Sequence, residues 1–128
     1  MMFEEILKTK VGIHIGNPVS KDEIKEAEKR LSCRFTDEYR EYLKECGIAS
    51  FEGHELTGIC EFPRLNVCDV TIAQRTLNSK IPTDHYVIEE LHIDGIVIWQ
   101  SPEGEIYQAA SNSEPVRICE SFKEYINL

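Results

Sequence analysis

The sequence predicts an α+β fold, a single domain over residues 1–128 in which an antiparallel β-sheet is flanked by helices. Three observations carry that expectation. The first half holds two amphipathic helical patterns, each opened by a capping side chain and separated by a short break. The second half is a series of short runs rich in Ile, Val and Tyr, divided by glycine-containing turns. A third capped helix closes the chain.

At the start, Phe3, Ile6 and Leu7 are spaced i, i+3, i+4, which predicts a short helix over residues 2–9 with Glu4 and Lys8 paired one turn apart. Val11, Ile13 and Ile15 alternate with glycine and histidine as a strand-like connector, which Gly16-Asn17-Pro18 ends. Ser20 followed three residues later by Glu23 is a capping box, and Asp22 adds negative charge to the first turn. Ile24, Ala27 and Leu31 form the apolar face of the helix that follows, with Glu26 placed to pair with Arg30. Thr36 caps a second helix with Asp37 and Glu38 in its first turn and Tyr39, Tyr42, Leu43 and Cys46 as its stripe. Gly47 is suited to the position just past its end.

Two adjacent helices with apolar faces require a sheet to cover. Strand-like residues lie at 55–60, 86–93, 95–100, 105–109 and 116–118, with a short loop before the first of them. Asp94-Gly95 between apolar runs predicts a type I′ hairpin turn, and Ser101-Pro102-Glu103-Gly104 a second tight turn. Residues 69–77 read as a helix with Ile72 and Ala73 inward. Ser121 with Glu124 forms another capping box, from which Phe122, Tyr125 and Ile126 dock the closing helix.

Composition narrows the function. Hydrophobic content of 41% and charged content of 29% are those of an ordinary globular domain. The 14 basic and 23 acidic residues give a net charge of −9, which repels phosphate backbones and disfavours general nucleic-acid binding. The same field attracts a basic protein partner. The start of the chain lacks the basic and apolar regions of a signal peptide, and the run from Gly95 to Trp99 is far too short to span a membrane. The five cysteines, Cys33, Cys46, Cys60, Cys68 and Cys119, are odd in number and contain no CxxC pair. Reduced thiols in a cytoplasmic protein are the expectation.

No catalytic constellation emerges. His14, His54, His85 and His92 show no metal-ligand spacing with each other or with the cysteines, so no metal or cofactor is expected. A cysteine nucleophile needs a histidine base and a third orienting group, and any of the five thiols could be nominated. Cys46, on an apolar helix face, reads as core. Glu89 and Glu90, adjacent on a strand, point to opposite faces and would not share a proton. The glycines at 53, 58, 95 and 104 mark turns or bulges and form no phosphate loop. Trp99 reads first as a core residue against a helix, with an exposed anchor for a protein partner as the alternative. Glu52, Glu55, Glu61, Asp69, Glu103 and Glu105 cluster around turns and form the candidate acidic contact set, although each alone also fits a solvated loop charge.

The order of these residues carries a family likeness. Ile24, Glu28 and Leu31 are followed by Phe35, Tyr39, Tyr42, Leu43 and Gly47, and then by the aromatic-glycine stretch at Phe51 to Gly53 and the LTGI of Leu56 to Ile59. The turn at Glu103-Gly104, the strand EIYQ and the SFKEYI of Ser121 to Ile126 complete the pattern. From about Ser20 onward the chain resembles the SUKH superfamily, which joins fungal cell-wall regulators with bacterial immunity proteins of toxin systems. Thr36 stands where the family usually has proline, a change a capping threonine absorbs, and residues 64–77 match less well. The resemblance implies an α+β fold and a binding role without catalysis. Bacterial members typically neutralise a toxin encoded beside them, often a nuclease. A domain of net charge −9 suits the basic groove of such a toxin as a phosphate mimic. A regulatory or scaffolding module is the alternative, and an enzyme or small-ligand binder a third. The sequence leaves the toxin's chemistry and the oligomeric state open.

Overall fold

The computed structural model describes residues 2–128. Five α-helices surround a seven-stranded sheet: α1 (Met2–Leu7), β1 (His14–Ile15), α2 (Lys21–Leu31), α3 (Asp37–Cys46), β2 (Ala49–Phe51), β3 (His54–Leu56), α4 (Val67–Leu77), β4 (Tyr86–Glu90), β5 (Val97–Gln100), β6 (Ile106–Ala109), β7 (Val116–Cys119) and α5 (Phe122–Ile126). The strands lie side by side in chain order, every pair antiparallel. This is the α+β fold the sequence predicts.

Local chemistry sets the helix boundaries. The Ser20 hydroxyl accepts from the Glu23 amide while the Glu23 carboxylate accepts from the Ser20 amide, a complete capping box. Thr36 and Ser121 cap α3 and α5 through the amides of Tyr39 and Glu124. The carboxylates of α3 also reach across the fold. Glu45 accepts from the Glu4 amide at 3.0 Å, and Glu38 accepts from the Phe122 amide at 2.5 Å. These bonds satisfy first-turn donors of the short helices α1 and α5, which could not persist in isolation.

The sheet separates two cores. On one face α1, α2, α3 and α5 bury a cluster in which Tyr39, Tyr42, Phe122, Phe35 and Tyr86 meet ring against ring at 4.8 to 5.5 Å. Their hydroxyls are satisfied: Tyr42 donates to the Thr57 carbonyl at 2.7 Å and Tyr86 to the Gln100 side chain at 2.7 Å. On the other face α4 and the segment after it cover Val87, Val97, Trp99 and Ala109 with Val70 and Ile81.

Several expectations need correction. The loop after α3 contains a strand, β2, which turns into β3 through Glu52 and Gly53, both with positive φ (48° and 84°) as a type I′ turn requires. Strand β3 ends at Leu56, short of the expected residue 60. Helix α4 begins two residues earlier than expected and buries Val67, Cys68, Val70 and Thr71, leaving Ile72 and Ala73 exposed. Asn66, whose side chain accepts from the Cys68 amide, sets that start. Glu4 and Lys8 do pair, at 2.6 Å, but Arg30 reaches Asp69 rather than Glu26. Trp99 is 1% exposed. It is a core residue packed under α4 and not an exposed anchor for a partner.

Candidate partner-binding groove

Two depressions of about 710 and 520 Å³ adjoin along the open side of α2 and share Glu23 and Ile59 in their walls. Together they form one groove between α2 and the chain from Gly58 to Cys68. Ala27, Ile59 and Cys68 supply apolar floor at one end, and Val19 and Ile48 at the other. Asp22, Glu23, Glu26 and Glu61 stand along its rim, with Lys29 and Arg30 among them at one end. Phe62, 55% exposed, sits at the mouth. An apolar centre with a charged rim and an accessible aromatic is the anatomy of a protein-recognition surface.

A backbone crossing builds the floor. Gly58 passes so close to Gly47 that a Cβ at position 58 would lie 1.7 Å from the Gly47 carbonyl oxygen. Gly58 is therefore a close-approach glycine and not the turn or bulge residue the sequence suggests. The Ile59 amide donates to the Gly47 carbonyl at 3.1 Å, and Gly58 exchanges bonds with Leu65 and Val67 at 2.9 and 2.7 Å. Asn66 completes the frame by donating to the Cys60 carbonyl at 3.0 Å while capping α4. The groove wall is thus pinned at both ends, although it contains only a single 3₁₀ turn at Pro63–Leu65.

The six acidic candidates do not form one patch. Glu61 lies on the groove rim, whereas Asp69 is outside its lining and is held at 2.7 Å by Arg30, which lines one end. Glu55 is clamped by both guanidinium nitrogens of Arg64 at 3.0 and 2.9 Å, and that hydrogen-bonded cation holds its carboxyl below the usual range. Glu105 is held by Arg117 at 2.8 Å and by the Tyr107 hydroxyl at 2.9 Å, with the same direction of shift. Glu52 and Glu103 are exposed at turns that the antiparallel strand order places at opposite ends of the sheet. The residues that residue-type reasoning left out are Asp22, Glu26 and Phe62. Asp22 and Glu26 are spaced i, i+4, so helical periodicity alone puts them on one face.

A second polar cluster, which no sequence pattern marks, is centred on Glu89. Glu89 is 2% exposed, turned onto the helical face beside a β-bulge between Val87 and Glu89. Its carboxylate accepts from the Tyr125 hydroxyl at 2.5 Å and the Glu55 amide at 2.9 Å, and meets His54 Nδ1 at 3.0 Å. Burial and the neighbouring carboxylate push the Tyr125 phenol well up. With its oxygens occupied by donors from β3 and α5, Glu89 stitches these elements to β4. Glu90, on the other face, accepts from Gln74 at 2.6 Å, so the two neighbours do point apart. The buried thiols of Cys46 and Cys68 are pushed up to about 12 and about 11 by desolvation, which disfavours the thiolate a nucleophile needs. Among the described residues no group of three or more His, Cys, Asp or Glu is placed to hold a metal ion, and no helix is long and apolar enough to cross a membrane.

A family model described as SMI1-KNR4 cell-wall (SUKH_5) matches residues 1–127. The chain belongs to the SUKH family. No curated protein matches it. Membership in SUKH is consistent with a protein-partner role of the immunity or regulatory kind, and the match spans the groove and both cores alike.

Proposed function

We propose that this SUKH protein is a non-catalytic cytoplasmic immunity protein that binds a cognate toxin domain, of nuclease type, and occludes its active site. The observation that carries the reading is the groove along α2, where Asp22, Glu26 and Glu61 make no ion pair among the described residues around an apolar floor. A nuclease offers basic side chains where its substrate's phosphates bind, and an acidic rim can occupy them. The net charge of −9 accelerates encounter with such a partner. Phe62 and the floor supply the desolvated contact that slows release.

Family membership supports a protein partner, and the rim charge supports a basic one. The test is co-expression with the toxin-like C-terminal domain from the neighbouring gene, reading growth rescue and complex formation. Rescue with a one-to-one complex that Glu26→Lys with Glu61→Lys weakens is the expected result. Rescue that these reversals leave intact would move the interface elsewhere on the fold. Absence of both rescue and complex would overturn the immunity reading in favour of a regulatory module.

A further inference from the structure

The opposite side of α2 carries the opposite charge. A depression of about 290 Å³ between α2 and α3 is lined by Lys21, Lys25, Arg34, Arg40 and Lys44, with Ile24 as its floor and Glu28 as the one carboxylate in its wall. Glu28 is already committed: it accepts from Arg40 at 2.7 Å and 3.2 Å and from the Phe35 amide at 2.8 Å. Arg40 is therefore neutralised. Lys21, Lys25, Arg34 and Lys44 have no side-chain hydrogen bond or ion pair among the described residues. Elsewhere Arg30, Arg64 and Arg117 find carboxylates, and Arg75 finds backbone carbonyls. Here, in a chain rich in carboxylates, the one carboxylate of the concavity is taken by Arg40, and the other four cations have no ion-pair partner among the described residues.

Stability does not explain the placement. Lys21 and Lys25 are like charges at i, i+4 on α2, and Arg40 and Lys44 repeat that spacing on α3; both arrangements are unfavourable. Lys21 also occupies the first position of α2, the positive end of the helix dipole, where carboxylates are favoured. Only Lys44, in the last turn of α3, suits its helix. Mutual repulsion of this kind is relieved by an anion.

We propose that this depression binds a short phosphate ligand carrying several negative charges, of the diphosphate class. A single carboxylate would leave most of the positive charge unmatched. The concavity lies at the small end of ligand sites, large enough for a phosphate head and too small to enclose a nucleoside. Arg34 brings a planar fork suited to phosphate oxygens, and the lysines bring adjustable point charges. The net charge of −9 keeps long polyanions away, which selects a short ligand over a nucleic-acid strand. This site is independent of the α2 groove, and its occupancy does not depend on the toxin reading.

The test is calorimetric titration of the full chain with inorganic pyrophosphate at low ionic strength, with ADP, citrate and a single-stranded oligonucleotide as comparison ligands. One-to-one pyrophosphate binding is expected, weakened roughly tenfold by Lys25→Ala with Arg34→Ala. Lys80→Ala with Lys123→Ala, at cations outside the depression, leaves it unchanged. ADP binding as tightly as pyrophosphate, or more tightly, supports the proposal and tells whether a nucleoside source adds contacts. Absence of saturable pyrophosphate binding overturns it, as does binding that the Lys25/Arg34 variant retains. Citrate or the oligonucleotide binding more tightly than pyrophosphate overturns the ligand class. Circular dichroism of the variants confirms that these exposed substitutions leave the fold intact.

Discussion

Glu26 and Glu55 carry the same charge in the sequence and different charge in space. Glu26, with Asp22 and Glu61, makes no ion pair among the described residues and lines a groove with an apolar floor. Glu55, with Asp69 and Glu105, is matched by an arginine within 3.0 Å. A basic partner approaching the first set meets open charge. At the second set it must first displace a guanidinium. Net charge therefore measures the field at a distance, and pairing decides where that field is presented at contact.

The comparison breaks most completely if the groove wall moves. Gly58→Val places atoms within the Gly47 carbonyl, and the expected loss is about 3 kcal/mol in denaturant unfolding. A variant with unchanged stability would show that the 47/58 crossing does not fix the wall. Next in size is release from the partner. Removing the exposed ring by Phe62→Ala is expected to speed dissociation roughly tenfold while association stays nearly constant. A change confined to association would place Phe62 outside the contact.

The paired set yields smaller effects. Glu55→Gln, which leaves an exposed pair with Arg64 broken, is expected to cost no more than about 0.5 kcal/mol. Because Arg64 holds the Glu55 carboxyl low when folded, its contribution is present above the ordinary carboxylate range, near pH ~4.3, and is lost as pH falls through the lower folded value. Acid unfolding of wild type and variant should therefore converge at low pH. The buried phenols behave oppositely. Burial raises Tyr39, Tyr42 and Tyr86, so their contribution is complete below about pH 10 and declines above it. Unfolding midpoints that stay flat above that pH would contradict the packed tyrosine cluster.

Much of the fold was legible because its signals are local. Ser20, Thr36 and Ser121 announce helix starts through side chains bonded to amides three residues away, and Asp94-Gly95 and Glu103-Gly104 announce turns. What was missed depends on distant partners. Strand β2 has three residues, too few to show a period, and exists through its pairing with β1 and β3. The inward face of α4 is chosen by the sheet beneath it, against the weak pattern of Ile72 and Ala73. Glu89 is buried because a bulge turns it toward Tyr125 and His54. Of the groove rim, Glu61 is picked out by residue type, while Asp22 and Glu26 are visible as i, i+4 neighbours that read first as local helix residues. Nothing in the sequence could say that Arg64 and Arg117, nine and twelve residues away, cancel Glu55 and Glu105.

The most direct test of the partner-binding account is the association rate with the toxin-like domain from the neighbouring gene, measured by stopped flow across ionic strength. Wild type should associate fast at low salt and slow steeply as salt rises. Glu26→Lys with Glu61→Lys should lose about tenfold at low salt and most of the salt dependence, while Glu55→Gln with Glu105→Gln changes the rate less than about twofold. An association rate indifferent to salt, or a larger loss from the paired set than from the rim, would contradict the account.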